Sequence, residues 1–255
     1  MYRLDNKFAS GHFTLTVVGC GGTGGFTAEG LCRLLPQQAA LILVDHDRVE
    51  ERNLTRQCFI KEDLGKFKSE VLARRLAQKF NRSVGYSTLP VAMVEIPFPG
   101  LVIGCVDNGL SRRDIAEKVK SHLYALYGFT SWWIDAGNGE NYGQVLIGNT
   151  GIAAAFTPEG DIYHGLPLPT LQRPDLLLQV PRGRDCTVIA EEQGPTINLT
   201  MAAVVVEVVH RLIAGTCPWV QLYLDMEAGT LTPVLATPES IKSITRIKKR
   251  KNERR

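Results

Sequence analysis

The chain has 255 residues, 44% of them hydrophobic and 22% charged, with a formal net charge of +3. That balance excludes a chain disordered throughout, and the length supports one large domain or two small ones around a sizeable core. The charge is uneven: the stretch from Lys242 to Arg255 is strongly basic and leaves a mildly acidic body, which argues against a domain built to coat nucleic acid.

In chain order, Thr14 to Val18 is short, β-branched and bounded by Gly, and reads as a buried strand. A glycine-rich turn follows, then a helix over 23–35 ended by Pro36. Residues 40–45 form a second apolar strand that ends in Asp45, which completes a strand, glycine loop, helix and strand. Further elements are a helix over 66–80, strands over 84–89 and 101–106, a helix over 111–127 and a strand over 132–136. Near-continuous apolar strands alternating with helices imply an α/β fold, a Rossmann-like, mostly parallel sheet with helices on both faces. Beyond residue 140 the pattern changes. Residues 144–148 are strand-like, 157–195 read as a long crossing loop, 196–214 as an apolar helix, and 220–226 with 231–235 as a hairpin. One domain over 1–237 is expected, with a core over 14–136 and an elaboration over 140–237, followed by a flexible basic tail over 238–255. That tail could touch nucleic acid, although a solvated terminus is the simpler expectation.

Five glycines fall between Gly19 and Gly25. Gly19, Gly21 and Gly24 fit G-x-G-x-x-G after a strand and at the opening of a helix. There bare backbone can approach phosphate, and the helix end supplies amide donors. Asp45, at the end of the next strand, is placed to accept hydrogen bonds from ribose hydroxyls. These features predict a nucleotide site but leave NAD, FAD, AdoMet and ATP open.

Further blocks narrow the choice. Asp45-x-Asp47-x-Val49 leads to Asn53-Leu54-x-Arg56-Gln57, then Asp63-x-Gly65-x-x-Lys68, then Asp107-Asn108 with Arg112. With Gly19 to Gly24 these four ordered blocks resemble the ThiF/MoeB superfamily, which includes the ubiquitin-activating enzymes. The short form is similar to the ThiF proteins of PRTRC cassettes. The resemblance implies an adenylyltransferase that uses MgATP to activate the C-terminal carboxylate of a small ubiquitin-like or sulfur-carrier protein, commonly ending in Gly-Gly. It also implies a homodimer.

By this resemblance Gly19, Gly21, Gly22 and Gly24 cradle phosphate, Arg56 and Lys68 neutralise it, and Asp107 holds Mg²⁺. Asp45 binds ribose, and Asn53 and Gln57 orient phosphate or the loop. Asp47 is either a site residue or a turn cap. Arg112 is either a ligand contact or a partner for Glu117 or Asp107. Cys186, beside Arg182 and Arg184, is either a nucleophile that attacks the adenylate or a structural thiol. The alternatives are an enzyme that adenylates a carboxylate on a nucleoside, as tRNA-modifying dehydratases of the family do, and a non-catalytic binding module of the same fold. A dehydrogenase leaves Asn53, Arg56, Gln57 and Lys68 without a role.

Two departures from the family are visible. The paired Cys-x-x-Cys of many relatives is missing from Cys20, Cys32, Cys58, Cys105, Cys186 and Cys217, so no structural zinc is expected. The N-terminal arginine segment is also missing, and Arg3 is a poor substitute. Reduced thiols, no apolar leader and no unbroken apolar run of membrane length predict a cytoplasmic protein.

Overall fold

Strand β1 (Thr14–Val18) is buried along nearly its whole length, and its residues divide by parity. Leu15 and Val17 face one side of the sheet, while Val18 faces the other. The same alternation holds in β2 (Ala40–Val44), β4 (Gly100–Gly104) and β5 (Trp132–Asn138). A strand covered on both faces needs apolar side chains at every position, which is why these segments read as unbroken apolar runs. The computed structural model describes residues 1–4, 13–97, 100–120, 130–151, 165–179 and 196–252.

The eight strands of the sheet run in the order β3-β2-β1-β4-β5-β6-β7-β8, with β3 at Val84–Ser87, β6 at Tyr142–Asn149, β7 at Trp219–Asp225 and β8 at Thr230–Leu235. Strands β3 to β5 pair in parallel, and β5 to β8 in antiparallel. Helices α1 (Gly22–Leu34), α2 (Lys68–Phe80) and α5 (Ile197–Ala214) supply Leu31, Leu72 and Val205 to the larger core. Helix α3 (Gly109–Lys120) closes the opposite face with Ile115, Ala116 and Val119. A short helix α4 (Pro169–Gln172) and a 3-10 turn over Pro174–Leu178 continue on that side.

Helix α5 is long and apolar enough to cross a membrane. Its apolarity is used internally instead: Met201, Val205, Val208, Val209 and Leu212 are all buried against α1 and the sheet. Buried Arg82 plays the reverse part, a cation spent on scaffolding. It donates to the carbonyls of Cys32, Leu35, Pro36 and Ala39 and so ties the end of α1 to the start of β2.

Three expectations need adjustment. Residues 238–255 were expected to be a flexible tail; α6 runs from Pro238 to Asn252, because Ile241 is buried and Ile244 packs on the core. The helix expected from 111 opens two residues earlier, with Asn108 Oδ1 accepting from the Ser111 amide, and residues 121–129 lie outside the described set. The crossing loop is not featureless where it is described, since 165–179 packs over α3 and β6.

Candidate active site

The strand order reverses between β2-β1 and β4-β5, so a crevice opens beyond the C-terminal ends of β1 and β4. The glycine loop leaves β1 there, and Asp107 follows β4 there. A cavity of about 560 Å³ fills the crevice. It collects Gly19, Gly21, Gly22, Asp45, Asp47, Arg56, Gln57, Lys68, Asp107 and Arg112, residues spread over more than ninety positions of sequence.

Local geometry explains the glycines. Gly19 has φ +89°, a left-handed backbone in which a side chain would be strained. A β-carbon on Gly24 would stand 1.8 Å from the carbonyl oxygen of Gly19, so Gly24 lets α1 close onto the turn. Gly24 does not line the cavity, and what its bare backbone serves here is packing. The first turn of α1 carries no side-chain cap, whereas the opening of α3 is occupied. There the Gly109 amide donates to the Gln179 carbonyl at 2.8 Å, and Ser111 donates to Asn108. The cavity therefore meets open helix amides at α1, and an anion is drawn to that end.

Asp45 accepts the Cys20 amide at 2.6 Å and the Asp47 amide at 2.8 Å, which fixes the loop after β2 against the glycine turn. Burial raises its carboxyl above the usual value, against the pull of Lys68. Asp47 holds the Lys68 ammonium at 3.1 Å, with Lys68 itself 8% exposed. Asp47 is thus a site wall rather than the cap of the next segment. That cap is Asn53, whose Oδ1 accepts the Glu50 amide at 2.9 Å. Asn53 is buried and does not line the cavity; of the two roles expected of it, orienting phosphate or orienting the loop, its contacts serve the loop. Asp63 is a second support: it accepts from the Ile60 amide and from Arg75. Arg48 stacks on Phe67 and donates to the Gly65 carbonyl. The loop between β2 and α2 is braced by its own side chains, and this presents Arg56, Gln57 and Lys68 to the cavity.

Arg112 pairs with neither Glu117 nor Asp107. Its Nε donates to both oxygens of Asp135, at 3.2 and 3.0 Å, and its Nη1 donates to Gln179 Oε1 at 2.5 Å. Arg112 is 2% exposed and Asp135 0%. Burial raises the Asp135 carboxyl, while Arg112 opposes that. The guanidinium still reaches the cavity, so it is held there as a fixed positive charge.

Several walls of the cavity were not anticipated: Asn138, Tyr142, Gln144, Arg173, Gln179 and Asn198. Arg173 bridges Asp175 and Gln144 at the cavity wall. Asp135, a strand-end acid and a weaker site candidate on the sequence, is the partner that the strand and helix periods could have matched to Arg112. It has the parity of Trp133, which faces α3, and Arg112 lies three and four residues before Ile115 and Ala116 on the buried stripe of that helix. No local pattern marks Arg173 or Gln179.

Among the described residues, Asp45, His46 and Asp47 place potential metal-ligating atoms within 4.8 Å of one another. Asp45 is already committed to two amides and Asp47 to Lys68. Asp107 is the freer oxygen donor, exposed beyond the end of β4 with Asn108 Nδ2 3.2 Å from its Oδ1.

Cys186 lies outside the described residues. Burial pushes the Cys58 and Cys105 thiols up to about 12 and those of Cys32 and Cys217 to about 11, and it holds Cys20 well above the usual range. These five thiols are expected to resist alkylation by iodoacetamide at pH 8 in the folded protein. Mass mapping after brief labelling is expected to find these five cysteines unmodified; rapid labelling of Cys20 or Cys105 would contradict this.

A ThiF family profile matches residues 10–223. Ubiquitin-like modifier-activating enzyme 5 of Arabidopsis thaliana is 25% identical over 195 residues, 67% of this chain and 43% of that protein. The chain thus spans less than half the length of this relative. Among solved structures, PaaA superposes with a TM-score of 0.61 at 16% identity, covering 88% of this chain and 73% of the other. MccB of E. coli solved with ATP gives 0.59 at 17%, covering 88% and 64%. MccB solved with MccA gives 0.60 at 18%, covering 91% and 66%. At these identities the structural likeness shows a shared fold.

Proposed function

The chain belongs to the ThiF family, and on that premise we propose that it uses ATP to activate the C-terminal carboxylate of a small ubiquitin-like or sulfur-carrier protein. The carboxylate oxygen attacks the α-phosphorus, the bond to the β-phosphate oxygen breaks, and an acyl-adenylate and pyrophosphate result. The observation that carries this reading is the gathering around one cavity of an uncapped helix N-terminus, the cations Arg56, Lys68 and Arg112, and the carboxylate of Asp107. A triphosphate needs such neutralisation before an anionic carboxylate can approach it.

In this reading the amides at the start of α1 receive phosphate oxygens, and Lys68, steadied by Asp47, supplies a compact charge. Arg112 is already oriented by Asp135 and spends no reorganisation when charge develops nearby. The carboxylate enters from the end walled by Gly137, Asn138, Gln144 and Arg173, which is free of acidic lining residues among those described.

Asp107 fits Mg²⁺: it is a hard oxygen donor at the cavity wall, and this ion binds through one or two carboxylates with phosphate and water completing its shell. Bound there, Mg²⁺ would withdraw charge from the phosphates. MccB has been solved with ATP and with MccA, and this supports a nucleotide and a peptide or small-protein tail as the two occupants.

A cytoplasmic homodimer belongs to the same proposal. The five described cysteines are all free thiols, which suits a reducing compartment. Light scattering is expected to give twice the chain mass of 28.1 kDa. The function is tested by ATP–pyrophosphate exchange with small proteins ending in Gly-Gly. Exchange that depends on the added protein's free C-terminal carboxylate is expected. ATP binding without exchange for any such protein would mark a non-catalytic module, and exchange that needs tRNA would point to the nucleoside-directed branch.

A further inference from the structure

Asn198 stands in the first turn of α5, a helix otherwise rich in Ala, Val and Leu, and is 3% exposed. Its Oδ1 lies 3.1 Å from Thr23 Oγ1, which donates to it, and accepts from Asn138 Nδ2 at 3.2 Å. Thr23 Oγ1 also lies 3.2 Å from Asn138 Oδ1, so the three side chains close a ring. The other end of the amide, Nδ2, reaches the carbonyl of Arg56 at 3.5 Å. A β-carbon on Gly22 would stand 2.4 Å from that same Nδ2, so the amide lies against the bare backbone of the first turn of α1.

A buried amide needs partners for its own sake, and a satisfied core Asn is the plainer explanation of such bonds. The identity of the partners argues for more. Gly22, Thr23, Arg56 and Asn138 come from three separate segments, and all of them, with Asn198, line the same cavity. Gly22 and Thr23 belong to the helix end that faces phosphate, Arg56 is the nearby cation, and Asn138 ends β5 on the side where the carboxylate enters. One side chain therefore spans the two halves of the reaction site.

We propose that Asn198 is a positioning residue, which sets the phosphate cradle of α1 and the Arg56 segment at a constant distance from the end of β5. The inference rests on the ATP reading above. Displacement at phosphorus needs the two reactants aligned, and small misplacements are costly in such geometry.

Calorimetric titration with ATP, beside thermal melting, tests it. Asn198→Ala is expected to weaken ATP binding about tenfold, the loss of one or two hydrogen bonds that hold the cradle. Asn198→Asp keeps the shape and the accepting Oδ1, but it loses the donor to Arg56 and puts an anion beside phosphate. It is expected to weaken binding further than alanine does. Gly22→Ala pushes its methyl against the Asn198 amide and is expected to weaken binding by a similar factor. The double variant Gly22→Ala/Asn198→Ala has room for the methyl and is expected to bind no more weakly than Asn198→Ala alone. A residue that merely supports the fold would lower the melting temperature and leave ATP affinity well below that temperature unchanged. That outcome, or additive losses in the double variant, would overturn the proposal. If Asn198→Ala does not fold, the smaller but neutral Asn198→Ser decides by the same two readings. No ATP binding by the unaltered protein would instead overturn the adenylation reading itself.

Discussion

Asp107→Ala is expected to slow ATP–pyrophosphate exchange about 10³-fold, the scale of losing one preorganised charge at a reaction site, while ATP affinity changes less than about tenfold. The residue follows β4 at the reversal of the sheet, its side chain is exposed, and its neighbour Asn108 belongs to the same turn. No core packing is lost, so melting is expected to shift little, and a fall in rate then reports chemistry. Asp107→Asn keeps the shape and removes the charge. It is expected to behave like alanine, and chelation with EDTA is expected to give a comparable loss in the unaltered protein. Exchange at the original rate in Asp107→Asn would remove the carboxylate from the mechanism.

The second large effect is on stability. Asp135→Ala is expected to cost about 3–5 kcal/mol of unfolding free energy, because Arg112 would be left as a buried charge without its counter-ion. The two side chains are 0% and 2% exposed and are joined through both carboxylate oxygens. Urea titration measures the change. Joint replacement, Asp135→Leu with Arg112→Leu, is expected to recover much of the stability and none of the exchange activity, since the fixed charge at the cavity is gone. A stable Asp135→Ala protein with full activity would show that Arg112 needs no anchor.

The first hundred residues are legible because their constraints are local. β1, β2 and β4 are covered on both faces and must be apolar throughout, so composition reveals them. The glycine turn needs bare backbone at Gly19 and Gly24 whatever surrounds it, and the acid at Asp45 follows its strand directly. The four blocks then place Arg56, Lys68 and Asp107 in a family before any contact is known. Roles within those blocks are less legible. Asn53 and Gly24 stand in the matched blocks beside Gln57 and Gly22, yet Asn53 caps a turn and Gly24 admits a helix, while the other two face the cavity. A motif preserves everything needed to shape a site, the supports as well as the walls.

The basic segment after 237 was misread for a related reason. Its charges suggest a solvated chain, and only the sheet and helices beneath it show that Ile241 has a core to enter. Arg173 and Gln179 were invisible because their segment has no period of its own; it takes its shape from α3 and β6.

By itself the amino-acid sequence determined the alternating sheet, the nucleotide turn and the residue blocks that identify the family, since each depends on neighbours a few positions away. The tertiary structure alone decided which charges meet. Arg112 finds Asp135, Lys68 finds Asp47, and Asn198 joins Thr23 to Asn138 across 175 and 60 positions. Partners so far apart in the chain are chosen by the order of the strands and the packing of helices upon them, and no local pattern records that choice.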